Sequence, residues 1–266
     1  MFSSSGGSAW VADEANHSPG CHKSEFPTDH VPVPVNPPSA HTARHPEPAA
    51  NSGPVRLVIV EDHLMFREVI RLVCDDEPGI HVVGEAATGP EGMKLILETK
   101  PDIAIMDISL PGMDGLTVAE RVLQRLPNLG ILVLSSFCDD YTLYKVERLR
   151  VKGFVDKNSN SIAILKQALA AIREGRSYFS AVFHAVKKAR LANPRSFDKM
   201  LSESEQTILS LIGHGHSDAE IARRLKISPL TAQTHRRNIM HKLGISGTPK
   251  LVAFAAEHGM ARKLTG

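Results

Sequence analysis

The chain has 266 residues, 42% of them hydrophobic, with a formal net charge of +2, so it is long enough for one or two packed domains. Its apolar runs are far shorter than the roughly 20 residues that cross a bilayer, and its N-terminus lacks the pattern of a secretory signal. Its three cysteines form neither a disulfide framework nor a zinc-binding pattern, and they fit a reducing cytoplasm.

The charge is unevenly distributed along the chain. Residues 55–180 contain 15 Lys and Arg against 18 Asp and Glu, whereas residues 199–266 contain 10 against 5. A basic C-terminal part behind an acidic middle predicts a polyanion as the partner of the C-terminal part.

Residues 1–54 form an N-terminal extension rich in Ser, Pro and His, with nine of the chain's 17 prolines. Such a segment buries too little apolar surface to offset its ordering entropy, so we expect it to be disordered. Its five histidines are irregularly spaced, which favours a solvated tail over a metal site.

From Val55 onward, short apolar runs alternate with amphipathic stretches. Near-continuously apolar strands separated by helices indicate a parallel sheet covered on both faces. We therefore expect a doubly wound α/β domain with five parallel strands over residues 55–176. The predicted strands are 55–60, 81–86, 102–107, 130–136 and 153–157, and the predicted helices are 63–75, 90–99, 115–126, 140–150 and 160–174.

The C-terminal part is predicted to be all helical. Residues 177–198 resemble a basic linker with some helix, and residues 199–266 follow as a small helical domain. Two short helices joined by the turn Lys226-Ile227-Ser228 are typical of a helix-turn-helix. Capping signatures begin three of its helices, at Ser202 with Glu205, at Ser217 with Glu220, and at Ser228 before Pro229. A fourth helix begins at Thr248-Pro249.

Four of the predicted strands end in polar residues: Glu61-Asp62, Asp107, Ser135 and Lys157. The carboxyl ends of parallel strands meet at one edge, where open α/β sheets bind ligands. Three carboxylates in one crevice repel each other, and Mg²⁺ relieves that repulsion with oxygen ligands. A hydroxyl and an ammonium group beside them suit a phosphoryl group, so the set can act as nucleophile, metal clamp, oxygen donor and charge neutraliser.

Each of these residues also has a simpler interpretation. Glu61-Asp62 could cap the first helix, where negative charge is favourable. Asp107 could be a turn residue, Ser135 is a common residue type, and Lys157 could lie on the surface. The coincidence of all four at successive strand ends favours the phosphoryl site.

With these positions, residues 55–175 resemble a response-regulator receiver domain. The resemblance covers the acidic pair, the aspartate in MDISLPGMDG, and the hydroxyl and lysine residues 28 and 50 positions after it. It implies that Asp107 takes a phosphoryl group from a sensor histidine kinase or a small phosphodonor. It also implies that Asp62, Asp107 and the backbone carbonyl of Ser109 hold Mg²⁺, with Glu61 acting mostly through water.

In such domains an aromatic residue three positions before the lysine moves inward on phosphorylation, and here that residue is Phe154. It has no hydroxyl, so a switch would work by ring packing, and an ordinary strand role is an equal alternative. The chain also departs from the family at residues 148–153 (RLRVKG), which form a basic face where small residues are usual.

The stretch from Leu201 to Leu243 resembles the LuxR/NarL-type helix-turn-helix output domain. The resemblance implies a recognition helix over 229–242, lying in the major groove of double-stranded DNA. Side chains expected to reach bases are Thr231, Gln233, Thr234 and Arg237, and those expected to hold phosphates are Arg224, Arg236 and Lys242. A generic helical bundle with a solvated basic face is the alternative.

A small core is expected beneath this helix, from Ile208, Leu211, Ile212, Ile221, Ala222, Leu225, Ile227, Ile239 and Leu243. The last helix, 249–260, is expected to expose Leu251, Val252, Phe254 and Ala255 around one side, and packing on the helix-turn-helix core is the alternative for part of that surface. In the family this helix supports dimerisation, so we expect a homodimer on two half-sites.

These features predict a two-component transcription factor of the cytoplasm and not an enzyme, in which phosphorylation of Asp107 switches dimerisation and DNA binding. One alternative is a DNA-binding regulator that does not depend on phosphorylation, which DNA affinity with and without a phosphoryl mimic would distinguish. The other is a signalling adaptor whose basic domain binds protein, against which the basic charge and the capped helices argue.

Overall fold

The computed structural model describes residues 53–159 and 161–261. The expected disorder of residues 1–54 therefore falls, except for Gly53 and Pro54, outside the described residues. Within the described ranges, no helix combines the length and apolarity needed to cross a bilayer.

A parallel sheet forms the first part of the fold, with strand order β2-β1-β3-β4-β5-β6. The expected doubly wound sheet is confirmed, but within the described ranges it has six strands and not five. Two residues are too few to show an alternating pattern, so the sequence did not reveal the edge strand β6. The strands are β1 (Val55–Val60), β2 (Ile80–Ala86), β3 (Ile103–Asp107), β4 (Gly130–Ser135), β5 (Gly153–Asp156) and β6 (Tyr178–Phe179).

Helices cover both faces of this sheet because alternate strand residues point to opposite sides. In β1, Leu57 and Ile59 pack with α1 and α5, whereas Val58 and Val60 pack with α2, α3 and α4. The helices are α1 (Leu64–Asp75), α2 (Gly89–Thr99), α3 (Gly115–Arg125), α4 (Asp140–Arg148) and α5 (Ile162–Arg173).

The stretch predicted as a linker contains β6, then α6 (Ala181–Ala192) and the short α7 (Phe197–Met200). Phe183 of α6 is buried, with its ring centroid 4.5 Å from Phe179 and 5.9 Å from Phe154. The first half of the stretch therefore extends the α/β layer and packs its helix beside α4.

Four further helices form the C-terminal domain: α8 (Glu203–Gly213), α9 (Asp218–Leu225), α10 (Pro229–Leu243) and α11 (Thr248–Glu257). Both expected capping boxes form, at Ser202 with Glu205 and at Ser217 with Glu220. All nine expected core residues are buried or packed against the buried cluster. Between α9 and α10 the chain turns at Lys226, whose φ is 56°.

Candidate functional site: an acidic pocket and a basic helix

The polar strand ends come together at the carboxyl edge of the sheet. Carboxylate oxygens of Glu61, Asp62 and Asp107 lie within 4.8 Å of one another. Glu61 and Asp107 are buried, with 1% and 4% of their surface exposed, whereas Asp62 is exposed. The three acidic residues therefore form a cluster that reaches from the domain interior to solvent, with the oxygen ligands that suit Mg²⁺.

Lys157 neutralises the buried part of this cluster. Its Nζ lies 2.7 Å from Glu61 Oε2 and 3.1 Å from Asp107 Oδ1. The ring of Phe66, in α1, lies 5.0 Å from the same ammonium group. Since Lys157 follows β5 while Glu61 ends β1, this ion pair ties together strands that are remote in sequence.

Burial raises the pKa of Glu61, and the negative charge of Asp107 raises it further, while Lys157 acts in the opposite direction. Neither Glu61 nor Asp62 caps α1, because the N-cap of that helix is His63, which makes no side-chain cap bond. The acidic pair therefore forms no capping hydrogen bond with α1, although its negative charge still lies near the N-terminus of that helix.

Ser135 ends β4 in a fully buried position, where its Oγ accepts a hydrogen bond of 2.9 Å from the backbone N–H of Phe137. Its hydroxyl is thus linked to the segment that leads into α4. Phe154 is fully buried against Phe183, so its ring is already inside the domain.

The loop after β3 is held close to Asp107 by a glycine. A Cβ at position 115 would collide with the backbone carbonyl oxygen of Asp107, so only glycine fits there. Asp114 caps α3 by accepting a hydrogen bond of 3.0 Å from the N–H of Thr117. These two contacts fix the backbone beside Asp107, and Ser109 lies within the same loop.

The expected DNA-facing side chains of α10 divide into two groups. Thr231, Gln233 and Arg237 are exposed, and Arg224 is exposed at the end of α9. Thr234 donates a hydrogen bond of 2.9 Å from its hydroxyl to the Leu230 carbonyl, one turn back. Within this group, Gln233 and Arg237 lie four residues apart and present polar side chains to solvent on one face of α10.

The second group is bound within the domain. Arg236 donates from Nε to Asp218 Oδ1 at 2.8 Å and pins the start of α9 to α10. Lys242 donates to Glu205 Oε2 at 2.7 Å. Burial acts to raise the pKa of Glu205, but hydrogen bonds from Lys242 and Ser202 lower it. These two cations therefore already have carboxylate partners inside the fold.

The apolar side of α11 is mostly internal. Leu251 and Ala255 are fully buried in the domain core, while Val252 and Phe254 are partly buried against it. The expected exposure is therefore wrong for Leu251 and Ala255, for which the alternative of packing on the helix-turn-helix core is correct.

A contact between α4 and the C-terminal domain was not foreseen from the sequence. Tyr141 and Tyr144 belong to the same apolar cluster as the helical domain and pack edge-on against Phe197, at centroid distances of 5.8 and 5.3 Å. Burial raises the pKa of Tyr141 to about 12, and the charge of Asp114 adds to it. The signal available in the sequence is that two of the chain's three tyrosines lie three residues apart on one predicted helix.

Polar contacts surround this tyrosine contact. The backbone N–H of Tyr141 donates to the carbonyl of His258 at 3.3 Å, and Arg148 pairs with Glu203. Arg190 of α6 is buried and binds Glu147 of α4 at 2.5 Å. The end of α4 is thus fastened to α6 on one side and to the helical domain on the other.

Comparison with known families matches two parts of the chain. Residues 57–169 match the response regulator receiver domain, and residues 199–255 match the bacterial regulatory proteins of the luxR family. The oxygen regulatory protein NreC of Staphylococcus aureus (strain JH9) is 32% identical over 210 residues, which cover 76% of this chain and 96% of NreC.

Solved structures give the same picture. RcsB from Salmonella enterica serovar Typhimurium, bound to promoter P1flhDC with the phosphomimetic BeF3−, is 25% identical with a TM-score of 0.55, and the match covers 76% of this chain and 98% of RcsB. A second RcsB–DNA complex is 25% identical with a TM-score of 0.53, covering 77% of this chain and 99% of that one.

Proposed function

The chain belongs to the response regulators that join a receiver domain to a luxR-family DNA-binding domain, and from this premise we propose that Asp107 is its phosphoacceptor. It is a transcription regulator and not an enzyme. The phosphoryl donor is a sensor histidine kinase or a small phosphodonor. Residues 55–176 act as the receiver, 177–198 connect, and 199–266 bind DNA in the cytoplasm.

The observation that carries this proposal is the position of Lys157. Its ammonium group bridges Glu61 and Asp107 at the sheet edge, with Asp62 beside them. A buried nucleophilic carboxylate beside a cation and two further carboxylates suits phosphoryl transfer better than it suits a purely structural role. The reason is that buried like charges destabilise a fold unless they serve a ligand.

Mg²⁺ would be held by Asp62, Asp107 and the Ser109 carbonyl, with Glu61 acting through water. When bound, it neutralises charge on the transferring group. An Asp107 carboxylate oxygen attacks phosphorus, and the bond from phosphorus to the donor atom breaks. Lys157 then pairs with the new phosphoryl oxygens, and the Ser135 hydroxyl donates to one of them.

This step disturbs α4. If the Ser135 side chain rotates to donate to the phosphoryl group, its Oγ moves away from the Phe137 N–H, and the segment leading to α4 loses this hydrogen bond. Because Gln233 and Arg237 are already exposed, we propose that the signal acts through the contact of Tyr141 and Tyr144 with the helical domain, and not by uncovering α10. Freed from α4, the domain pairs as a homodimer on two half-sites.

On DNA, α10 lies in the major groove with Thr231, Gln233, Thr234 and Arg237 facing bases. Arg224 holds phosphate directly. Arg236 and Lys242 reach phosphates only by sharing or leaving their carboxylate partners.

The test is labelling with acetyl phosphate and Mg²⁺, followed by phosphate-affinity electrophoresis. Asp107→Asn is expected to abolish the shifted band, whereas Asp75→Asn, an exposed aspartate of α1, keeps it. A shifted band of wild-type intensity in Asp107→Asn would remove the assignment.

A further inference from the structure

Leu230 has the most exposed large hydrophobic side chain among the described residues, with 71% of its surface accessible. It is the second residue of α10, after Pro229. Ile227, before the helix, packs on the domain core, whereas Leu230 lies outside the described core cluster. Its side chain therefore contributes little to the packing of the domain.

Exposed leucines are common on protein surfaces, so the exposure of Leu230 alone does not indicate a function. Its position on α10 does. Leu230, Gln233, Thr234 and Arg237 are spaced by three, four and seven residues, which places them on one face of α10. Gln233 and Arg237 are exposed beside it. Leu230 thus begins the row of side chains that we propose face DNA, in the first turn, where recognition helices contact base edges.

The chemistry of this row points to one kind of ligand. A leucine side chain neither donates nor accepts a hydrogen bond, so it cannot hold a phosphate or read a polar base edge. In the major groove the apolar group that distinguishes bases is the 5-methyl of thymine. In the free domain the apolar surface of Leu230 is exposed to water. Contact with the thymine methyl removes apolar surface of both groups from water, which favours binding.

We propose that Leu230 is a specificity-determining residue that contacts the 5-methyl group of a thymine in each half-site. This inference rests on the proposed DNA interface of α10. Its neighbours Gln233 and Arg237 read polar edges of the adjacent base pairs, so the face combines one apolar contact with two polar ones.

The test combines truncation of the Leu230 side chain with removal of the thymine methyl group from the DNA. The probe is a duplex selected from random DNA by the full-length, acetyl-phosphate-treated chain, with each thymine replaced in turn by deoxyuridine, which lacks the methyl. Replacing the contacted thymine in one half-site is expected to weaken wild-type binding about fourfold, and replacing it in both about 15-fold. Leu230→Ala, which loses the contact in both half-sites, is expected to weaken binding by about 15-fold or more and to be insensitive to the same thymine replacements.

The matched control is Leu72→Ala in α1, which truncates a leucine that is 69% exposed outside the helical domain. It should bind as wild type and keep the full sensitivity to deoxyuridine. Circular dichroism should show unchanged helix content for Leu230→Ala, since alanine favours helix at least as well as leucine.

Two results would overturn the inference. In the first, no deoxyuridine replacement weakens DNA binding by wild type. In the second, every replacement weakens binding by Leu230→Ala as much as binding by wild type. Arg237→Ala separates this failure from failure of the interface. If Arg237→Ala weakens binding while Leu230 shows no coupling, only the thymine contact is lost. If no duplex is selected, or Arg237→Ala binds as wild type, the proposed interface itself fails.

Discussion

The acidic pocket and the exposed face of α10 place their functional groups in opposite ways. The pocket gathers side chains from strands separated by up to 96 residues, and its buried members bind one another. The face of α10 takes its side chains from one helix, and several of them point to solvent. Pocket residues therefore depend on one another, whereas the exposed residues of α10 can change one at a time.

Removing the pocket's cation should have the largest effect. Lys157→Met leaves two buried carboxylates without their partner, so we expect the free energy of unfolding to fall by about 3 kcal/mol. Mg²⁺ should restore part of this loss by binding the folded state. Urea unfolding followed by circular dichroism measures both.

The control for Lys157 is Lys166→Met, whose ion pairs with Asp76 and Glu77 lie at the surface. Its cost should stay below about 1 kcal/mol. Equal losses in the two variants would mean that the pocket's ion pair is no more important to the fold than a surface pair.

For the exposed Arg237 of α10, substitution should lower the affinity for DNA and leave the stability of the fold unchanged. Arg237→Ala should weaken DNA binding by about 10- to 100-fold and reduce its salt dependence, while the urea midpoint stays unchanged. Fluorescence anisotropy over a salt series measures this.

Arg236→Ala, one residue earlier, is the matched comparison. It removes the contact with Asp218, so its main effect should be a lower melting temperature and a smaller change in affinity. If both arginines affect only affinity, the division of α10 into free and internally bound cations is wrong.

Ser135→Ala tests the link from the pocket to α4. It removes the hydrogen bond of 2.9 Å between the Phe137 N–H and the Ser135 hydroxyl, so we expect a loss of about 1 kcal/mol in unfolding free energy. Phosphorylation should also no longer change DNA affinity. Ser136→Ala, an exposed neighbour, should do neither, and a phosphorylation response that survives in Ser135→Ala would contradict the proposed route.

The smallest effect concerns Glu205. Its pKa is lower in the folded than in the unfolded chain, so its carboxylate stabilises the fold above the unfolded value of about 4.3. That contribution is lost as the pH falls through the folded value. At pH 7 the free energy of unfolding of Glu205→Gln should be lower than that of wild type by less than about 1 kcal/mol. It should also fall less steeply as the pH is lowered, which urea unfolding over a pH series measures.

The sequence predicted the parts of the fold that depend on local pattern. Apolar strands, capping boxes and the polar residues at strand ends all carry short-range signals, and these gave the sheet, the helix-turn-helix and the convergence of Glu61, Asp62 and Asp107. Strand β6 has only two residues, and its pairing depends on the finished sheet.

The sequence could not predict which group each side chain of α10 and α11 contacts in the folded domain. Nothing in the spacing of Arg236 and Lys242 distinguishes them from Arg237, because their carboxylates lie 18 and 37 residues away in the chain. In the same way, Leu251 and Ala255 form an apolar stripe that suits a dimer or a core equally well, and only the packed domain shows that they are core.

Helix α4 lies in the hydrophobic packing of both domains, through Leu143 and Val146 on the sheet and through Tyr141 and Tyr144 on the helical side. The helical domain thus gives up apolar contact whenever it leaves α4. Cut free before Phe197 or fused to a foreign receiver, it would expose the ring of Phe197 to water, so chimeric regulators built from it will need aromatic residues at the matching positions of the new helix.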